Sequence, residues 1–176
     1  VLPVLLDDYS YDKFIAGGFM SIFAVAGMAI SVRVGRAIRN HGAARYLAGA
    51  FSLMIAGSLL GLAAPESGSL MLFSRAVEGL GAAVLAVCMP AFANMNAGPR
   101  QLPMIIAFQA TWIPVGQLSA NLIAQPAVAA GQWQPVWGAG IIATIAVAAW
   151  TFAIVRRGRV DLGGRPDHSG SAARVG

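Results

Sequence analysis

Two charged residues, Arg75 and Glu78, lie well inside an apolar stretch that runs from about Ser69 to Ala93. A charge at the centre of a membrane helix costs roughly 2.5 to 3.5 kcal/mol on insertion scales, so such a residue usually has a partner and a function. Their i, i+3 spacing places them on one helix face, within reach of an ion pair. The pair is therefore a candidate site for a substrate anion or a proton. The alternative is a structural ion pair near the outer end of the span, reached by snorkelling.

A second set of residues, polar or small, recurs at three- and four-residue steps in a later apolar stretch, from about Leu102 to Ala124. This stripe, which we call the amide stripe, consists of Gln109, Trp112, Gly116, Gln117, Ala120 and Asn121. Amides in lipid would leave donors unpaired, so the amide stripe should face protein or water. It predicts either a cavity wall that hydrogen-bonds a substrate or hydrogen bonds between helices.

The sequence lacks the residue sets of common enzymes and metal sites. The histidines are His41 and His168, both outside the apolar stretches, so no Ser-His-Asp or Cys-His set is available. No HExxH motif or Gly-rich phosphate loop is present. The single cysteine, Cys88, has no disulfide partner and no ligand cluster, and we interpret it as a small buried hydrophobe. We therefore predict neither an enzyme, nor a metal site, nor a cofactor.

The elements that must position these residues are apolar stretches of about 20 residues, the length that spans a bilayer core as a helix. Hydrophobic residues make up 57% of the chain and charged residues 11%, whereas a soluble domain has about 25% charged residues. We predict an all-α fold, a polytopic transmembrane helical bundle, because backbone groups in lipid must be satisfied within the segment. Its five complete spans run from about Phe14 to Val34, Tyr46 to Ala63, Ser69 to Ala93, Leu102 to Ala124 and Trp133 to Val155.

Basic connections alternate with connections that are acidic or uncharged. Arginines follow the first, third and fifth spans, at Arg33, Arg36, Arg39, Arg45, Arg100, Arg156, Arg157 and Arg159. The positive-inside rule places these connections in the cytoplasm, and Trp133 and Trp137 then lie at the outer interface. The net charge is +5, but the basic residues lie in loops and do not form a polar face that could bind nucleic acid. We therefore expect the lipid bilayer, and no nucleic acid, as a partner.

Two segments resemble motifs of the major facilitator superfamily of secondary transporters. The family's loop between helices two and three carries G-x-x-x-D-R-x-G-R-R. At the same place in this chain Gly35 and Gly42 fit, and Arg45 lies one residue after the motif's last Arg. Arg39 stands at the family's Asp and Asn40 at its Arg. The resemblance implies a gating loop formed by Gly35, Arg39, Gly42 and Arg45. Because Arg39 replaces the family's Asp, the resemblance gives less support for the family's gating ion pair in this loop.

The second segment, from Arg75 to Ala83, is similar to the family's helix-four motif R-x-x-Q-G-x-G-A-A, with Glu78 where Gln is usual. The likeness covers about Val1 to Arg157. It implies that residues 1–157 are most of the N-terminal six-helix half of a twelve-helix transporter, with a truncated first helix. Residues 158–176 would be the disordered start of the central cytoplasmic loop, and the C-terminal half of the same chain would be the main partner.

The family's helix-five antiporter signature ends in Gly-Pro-x-x-Gly-Gly, and this chain has Ile113-Pro114-Val115-Gly116-Gln117 there. A drug/proton antiporter is therefore less favoured. The general pattern is similar to the cyanate and nitroimidazole permease-like branch of the family. The bacterial cytoplasmic (inner) membrane is the expected location.

The resemblance implies a secondary active transporter that moves a small polar or anionic solute by alternating access around a site near the midplane. In this interpretation Arg75 attracts a negative group, and Glu78 couples transport to protons by pairing with Arg75 and releasing it on protonation. The amide stripe binds substrate through Gln109, Gln117 and Asn121, with Trp112 as an apolar wall. The alternatives are a non-transporting receptor or scaffold bundle and an intramembrane enzyme.

Overall fold

The computed structural model describes residues 2–41 and 44–158. Within these ranges the chain is helical and has no strands, so the predicted fold class is confirmed. The six helices are α1 (Leu2–Tyr9), α2 (Lys13–His41), α3 (Ala44–Ala63), α4 (Gly68–Met95), α5 (Leu102–Ala129) and α6 (Gln134–Arg156). Each of the five predicted spans coincides with one of the helices α2 to α6. The predicted tail after residue 158 lies outside the described residues.

Four of these helices are long and apolar enough to cross a membrane, judged by length and composition. They contain the segments Ser21–Ile38, Arg45–Ala63, Gly68–Asn94 and Gln134–Arg156. Helix α5 is not among them, although its 28 residues extend over about 42 Å. The predicted fourth span, Leu102 to Ala124, therefore has the required length but is not among the four segments that also meet the apolar criterion.

Helix α4 lies at the centre of the bundle and packs against α2 on one side and α3 on the other. Its first residue follows Ser67, whose side chain accepts a hydrogen bond from the backbone N–H of Leu70 at 3.4 Å. This N-cap satisfies one of the free donors at the helix start. Because α4 begins at Gly68, Arg75 lies two turns into the helix and faces the neighbouring helices near one end of the bundle.

Close approach of α4 to its neighbours depends on glycines. A Cβ on Gly79 would overlap the backbone of Phe23 in α2, with the Phe23 Cα at 3.0 Å. A Cβ on Gly81 would lie 2.7 Å from the carbonyl oxygen of Ala50 in α3. Small contact residues let membrane helices pack tightly where no hydrophobic force draws them together. The two glycines of the helix-four motif therefore have a direct packing role in this fold.

Two buried clusters lie at opposite ends of α4. One, which includes the fully buried Cys88, joins α2, α3 and α4. The other joins α1, α2, α4 and the start of α6, and consists of Leu5, Phe19, Met71, Trp133, Trp137 and Ile141. Cys88 is therefore the buried hydrophobe that the sequence predicts. The second cluster contributes Phe19 and Trp137 to the candidate site.

Candidate functional site

The ion pair between Arg75 and Glu78 forms on α4, as the i, i+3 spacing predicts. Nη2 of Arg75 contacts Oε2 of Glu78. The Arg75 side chain is 18% exposed and that of Glu78 is 7% exposed, so both charges are largely removed from solvent. An ion pair at this depth gives up much of its hydration, and its net energy depends on the additional hydrogen bonds that each partner makes.

Glu78 has a second partner on α3. The hydroxyl of Ser58 donates a hydrogen bond of 2.6 Å to Oε1 of Glu78. The backbone carbonyl of Ser58 in turn accepts a hydrogen bond of 2.9 Å from the indole N–H of Trp137 on α6. The two carboxylate oxygens of Glu78 thus accept from two helices, and Ser58 connects α3, α4 and α6.

Aromatic rings cover the guanidinium of Arg75. Its Cζ lies 4.2 Å from the ring centroid of Trp137 and 5.4 Å from that of Phe19 on α2. Both distances are within the range at which a cation is attracted to a ring face. The two rings meet edge to face, with centroids 6.3 Å apart. The Nε atom of Arg75 is buried and has no acceptor among the described residues.

A cavity of about 330 Å³ opens beside this group, between α2, α3, α4 and α6. Its walls are mostly apolar, and its charged members are Arg75 and Glu78. The lining consists of Phe19, Met54, Ser58, Arg75, Glu78, Val136, Trp137, Gly140 and Thr144. This volume is at the lower end of the range of about 300 to 1,000 Å³ that is usual for ligand sites.

The structure does not bring the amide stripe of α5 to this cavity. Gln109 contacts α4 through a hydrogen bond of 3.4 Å from its amide to Oδ1 of Asn94. Asn94 follows Arg75 by 19 residues, which is about 28 Å along the helix axis. Trp112 is 58% exposed, and no residue of α5 is buried. Gln117 and Asn121 are also exposed, and neither residue lines the cavity.

The residues assigned to a gating loop lie at the opposite end of the bundle. Helix α2 continues through Gly35 and Arg39 to His41, and Arg45 is an exposed residue in the first turn of α3. Gly42 lies outside the described residues, as does the side chain of Arg39. The gating loop therefore stays a prediction from the sequence.

Three contact residues of Arg75 and Glu78 were missed by the sequence analysis. Phe19 and Ser58 were not singled out, and Trp137 was assigned to an interfacial belt. All three belong to helices other than α4, and Ser58 and Trp137 are 79 residues apart in the chain. Local spacing carries no information on such contacts. The one available signal was the buried charge itself, which requires partners from neighbouring helices.

Comparison with known proteins gives one match. The sequence model described as Major Facilitator Superfamily matches residues 1–174, a range that includes all six helices and both motif segments. Searches of curated proteins and of solved structures found no match.

Proposed function

Since this chain belongs to the major facilitator superfamily of membrane transporters, we propose that it is part of a secondary active transporter that moves a small polar or anionic solute by alternating access. Four apolar helices long enough to cross a membrane support the membrane location. The observation that carries the proposal is the sheltered Arg75–Glu78 pair at the wall of a cavity of about 330 Å³. A charged pair beside a cavity in a membrane bundle is a candidate substrate and ion site.

In the proposed cycle, Glu78 controls whether Arg75 is available to a substrate. The ion pair is neutral as a whole, so it attracts an anion weakly. Protonation of the Glu78 carboxylate leaves the guanidinium as an uncompensated positive charge in a region of low dielectric, where its attraction for an anion is strong. An anion and a proton that enter together leave the net charge of the cavity unchanged, which makes proton-coupled uptake electrically favourable.

The groups that face Glu78 are consistent with one titrating site. From its own helix it meets Arg75, from α3 the hydroxyl of Ser58, and across the cavity the rings of Phe19 and Trp137. Within residues 2–41 and 44–158, no other acidic, basic or histidine side chain lines the cavity. Any pH dependence that arises at the cavity is therefore attributed to the Arg75–Glu78 pair.

The amide stripe is proposed as a separate set of substrate contacts. Consecutive helices α4 and α5 run antiparallel, and Gln109 lies beside Asn94. Asn121 follows Gln109 by 12 residues, so it lies about 18 Å back along the bundle, towards the level of Arg75. We propose that Gln109, Trp112, Gln117 and Asn121 line the path on the exposed face of α5, which is open to the C-terminal half of the transporter.

Uptake by the full-length protein in proteoliposomes is the decisive experiment. Small inorganic and organic anions are screened with and without an inward proton gradient, beside the Arg75→Ala variant. The likeness to the cyanate and nitroimidazole permease-like branch makes small anions the first substrates to test. Gradient-dependent uptake that is lost in Arg75→Ala would support both the transporter and its anion site. Uptake that persists in Arg75→Ala would leave Arg75 a structural residue.

The Glu78→Gln variant tests proton coupling, because it keeps the shape of the side chain and removes its charge. We expect uptake by Glu78→Gln to lose its response to the proton gradient, because the amide cannot take up a proton. The measurement is the initial uptake rate as a function of external pH in matched vesicles. If the rate and its pH profile are the same as in the wild type, Glu78 has no part in coupling.

The location is proposed together with the function. Arginine-rich connections on the cytoplasmic side of a bacterial inner membrane would fit the charge pattern. A non-transporting receptor or scaffold bundle remains the alternative function. It predicts no uptake of any solute and no effect of Arg75→Ala beyond stability.

A further inference from the structure

We propose that the cavity beside Trp137 binds an organic monoanion with an apolar body, such as a small aromatic or branched carboxylate. This assignment of substrate class rests on the transport function proposed above. It places the carboxylate at the edge of the Arg75 guanidinium and the apolar body along the rings of Trp137 and Phe19. It does not involve the amide stripe of α5.

The first argument is the composition of the wall. Phe19, Met54, Val136 and Trp137 present hydrocarbon and ring surface, while charge is confined to the α4 pair. A small inorganic anion in this space would exchange its water shell for apolar walls on most sides, which is unfavourable. A ligand with one charged end and one apolar end satisfies both parts of the wall.

The second argument is the geometry around Arg75. A guanidinium has five N–H donors in one plane, and Glu78 contacts it at Nη2. Nε has no acceptor among the described residues. The rings of Trp137 and Phe19 lie 4.2 and 5.4 Å from Cζ, and the negative face of an aromatic ring repels an anion. An incoming anion is therefore directed to the edge of the guanidinium, where a planar carboxylate forms its best contacts.

The third argument is size. The cavity volume of about 330 Å³ is at the lower end of the range that is usual for ligand sites, which favours a small ligand. Benzoate is a ligand of this kind. Benzoate combines a carboxylate with a rigid apolar ring, so it serves as the probe. Benzamide has the same shape without the charge, and acetate has the charge without the ring.

The test is isothermal titration calorimetry of the purified full-length protein with each probe at mildly acidic pH. We expect benzoate to bind at least about tenfold more tightly than benzamide or acetate, a difference of about 1.4 kcal/mol or more in binding free energy. Benzamide partitions into detergent at least as readily as benzoate does, so it controls for non-specific uptake by the micelle. Equal binding of benzoate and benzamide would overturn the proposal.

Two glycines of α6 provide a matched pair of variants. A Cβ on either Gly138 or Gly140 meets nothing within 4 Å, yet Gly140 lines the cavity and Gly138 does not. Gly140→Leu should fill part of the cavity and weaken benzoate binding at least about tenfold. Gly138→Leu should leave it unchanged, and comparable melting temperatures would show that both variants fold. Loss of binding in both, or in neither, would contradict the proposed location.

A third variant separates this cavity from the amide stripe. Gly116 lies on α5, where an added Cβ also meets nothing within 4 Å. If Gly116→Leu abolishes benzoate binding and Gly140→Leu does not, the ligand binds at α5 and the proposal is wrong. The uptake assay keeps the two proposals distinct. Arg75-dependent uptake of an inorganic anion, with no benzoate binding, would overturn the substrate class and leave the transport function in place.

Discussion

Arg75 is a charged residue whose side chain is largely removed from solvent. It gives up most of its hydration, which is unfavourable for a charged group. Against this, the structure offers the carboxylate of Glu78 and two ring faces, and each cation–π contact is worth about 0.5 to 2 kcal/mol. The buried Nε atom receives no acceptor. A purely structural ion pair would gain from an acceptor at that position, so the incomplete solvation of Arg75 favours a site with a ligand.

Tyr11, which precedes α2 and lies outside the membrane-spanning segments, gives a prediction at residue scale. Its hydroxyl donates a hydrogen bond to the carbonyl oxygen of Pro65. Burial, followed by the nearby Tyr9, raises the pKa of Tyr11 above its ordinary value of 10.0. A raised pKa in the folded state means that the stability from this group is complete below pH 10.0 and decreases as the pH rises through the folded-state pKa.

Tyr11→Phe should therefore lower the melting temperature at neutral pH, because it removes a hydrogen bond worth about 0.5 to 1.5 kcal/mol. It should also reduce the loss of stability in alkaline solution. Melting temperatures of the purified protein between neutral pH and about pH 11 measure both effects. Tyr46→Phe on α3 removes a tyrosine hydroxyl elsewhere in the chain and controls for the substitution itself. An unchanged slope in Tyr11→Phe would contradict the role of the hydroxyl.

At this scale the sequence predicted contacts within one helix and missed contacts between helices. The Arg75–Glu78 pair follows from three-residue spacing, which a helix converts directly into proximity. The hydrogen bond from Ser58 to Glu78 joins residues 20 apart, and that from Trp137 to Ser58 joins residues 79 apart. These contacts depend on how α3, α4 and α6 are arranged, which no local pattern contains.

At the scale of elements, the α3–α4 contact at Gly57 determines how the ion pair is held. A Cβ on Gly57 would lie 2.6 Å from Cγ of Glu78 and 2.9 Å from the carbonyl oxygen of Ser74. Glu78 therefore occupies space that is available only because position 57 has no side chain. The same helix–helix contact brings Ser58 within hydrogen-bond distance of the carboxylate.

Gly57→Ala should force α3 away from α4 and destabilise the protein by about 1 to 3 kcal/mol, the usual cost of overpacking. The matched control is Gly49→Ala on the same helix, because a Cβ there meets nothing within 4 Å. The control should be neutral or more stable by up to about 1 kcal/mol, since alanine favours helix over glycine. Thermal melting of both variants gives the comparison. Equal stability of the two would show that the close approach at Gly57 is not required.

The starts of α2 to α6 were predictable to within a few residues because long apolar stretches fix them. Two helices continue beyond their predicted ends, α2 to His41 and α5 to Ala129. The partners of α5 were not predictable. A polar stripe identifies one face of a helix, but it does not say which neighbour covers that face. In the described residues α5 has no buried side chain and contacts α4 through Gln109. Both the cavity wall and the interhelical hydrogen bonds at the amide stripe therefore stay predictions.

At the scale of the whole molecule, the orientation of α4 decides which side of the membrane opens towards Arg75. The 28 residues of α4 extend over about 42 Å, more than the roughly 30 Å of a bilayer core. Glu66 precedes this helix and Arg100 follows it, and both side chains are exposed. The two residues should therefore lie on opposite sides of the membrane. The alternation of basic connections predicts that Glu66 is outside and Arg100 is in the cytoplasm.

Cysteine labelling in intact cells tests this orientation. The native Cys88 is fully buried, so the wild type should not react with a membrane-impermeant maleimide and provides the baseline. Glu66→Cys should be labelled from outside, whereas Arg100→Cys should be labelled only after the membrane is permeabilised. Because Arg75 lies two turns from the Glu66 end of α4, this outcome would place the cavity near the outer surface, where a solute taken up by the cell would first meet it. The reverse pattern would place the cavity at the cytoplasmic end and would contradict the sidedness predicted from the arginines.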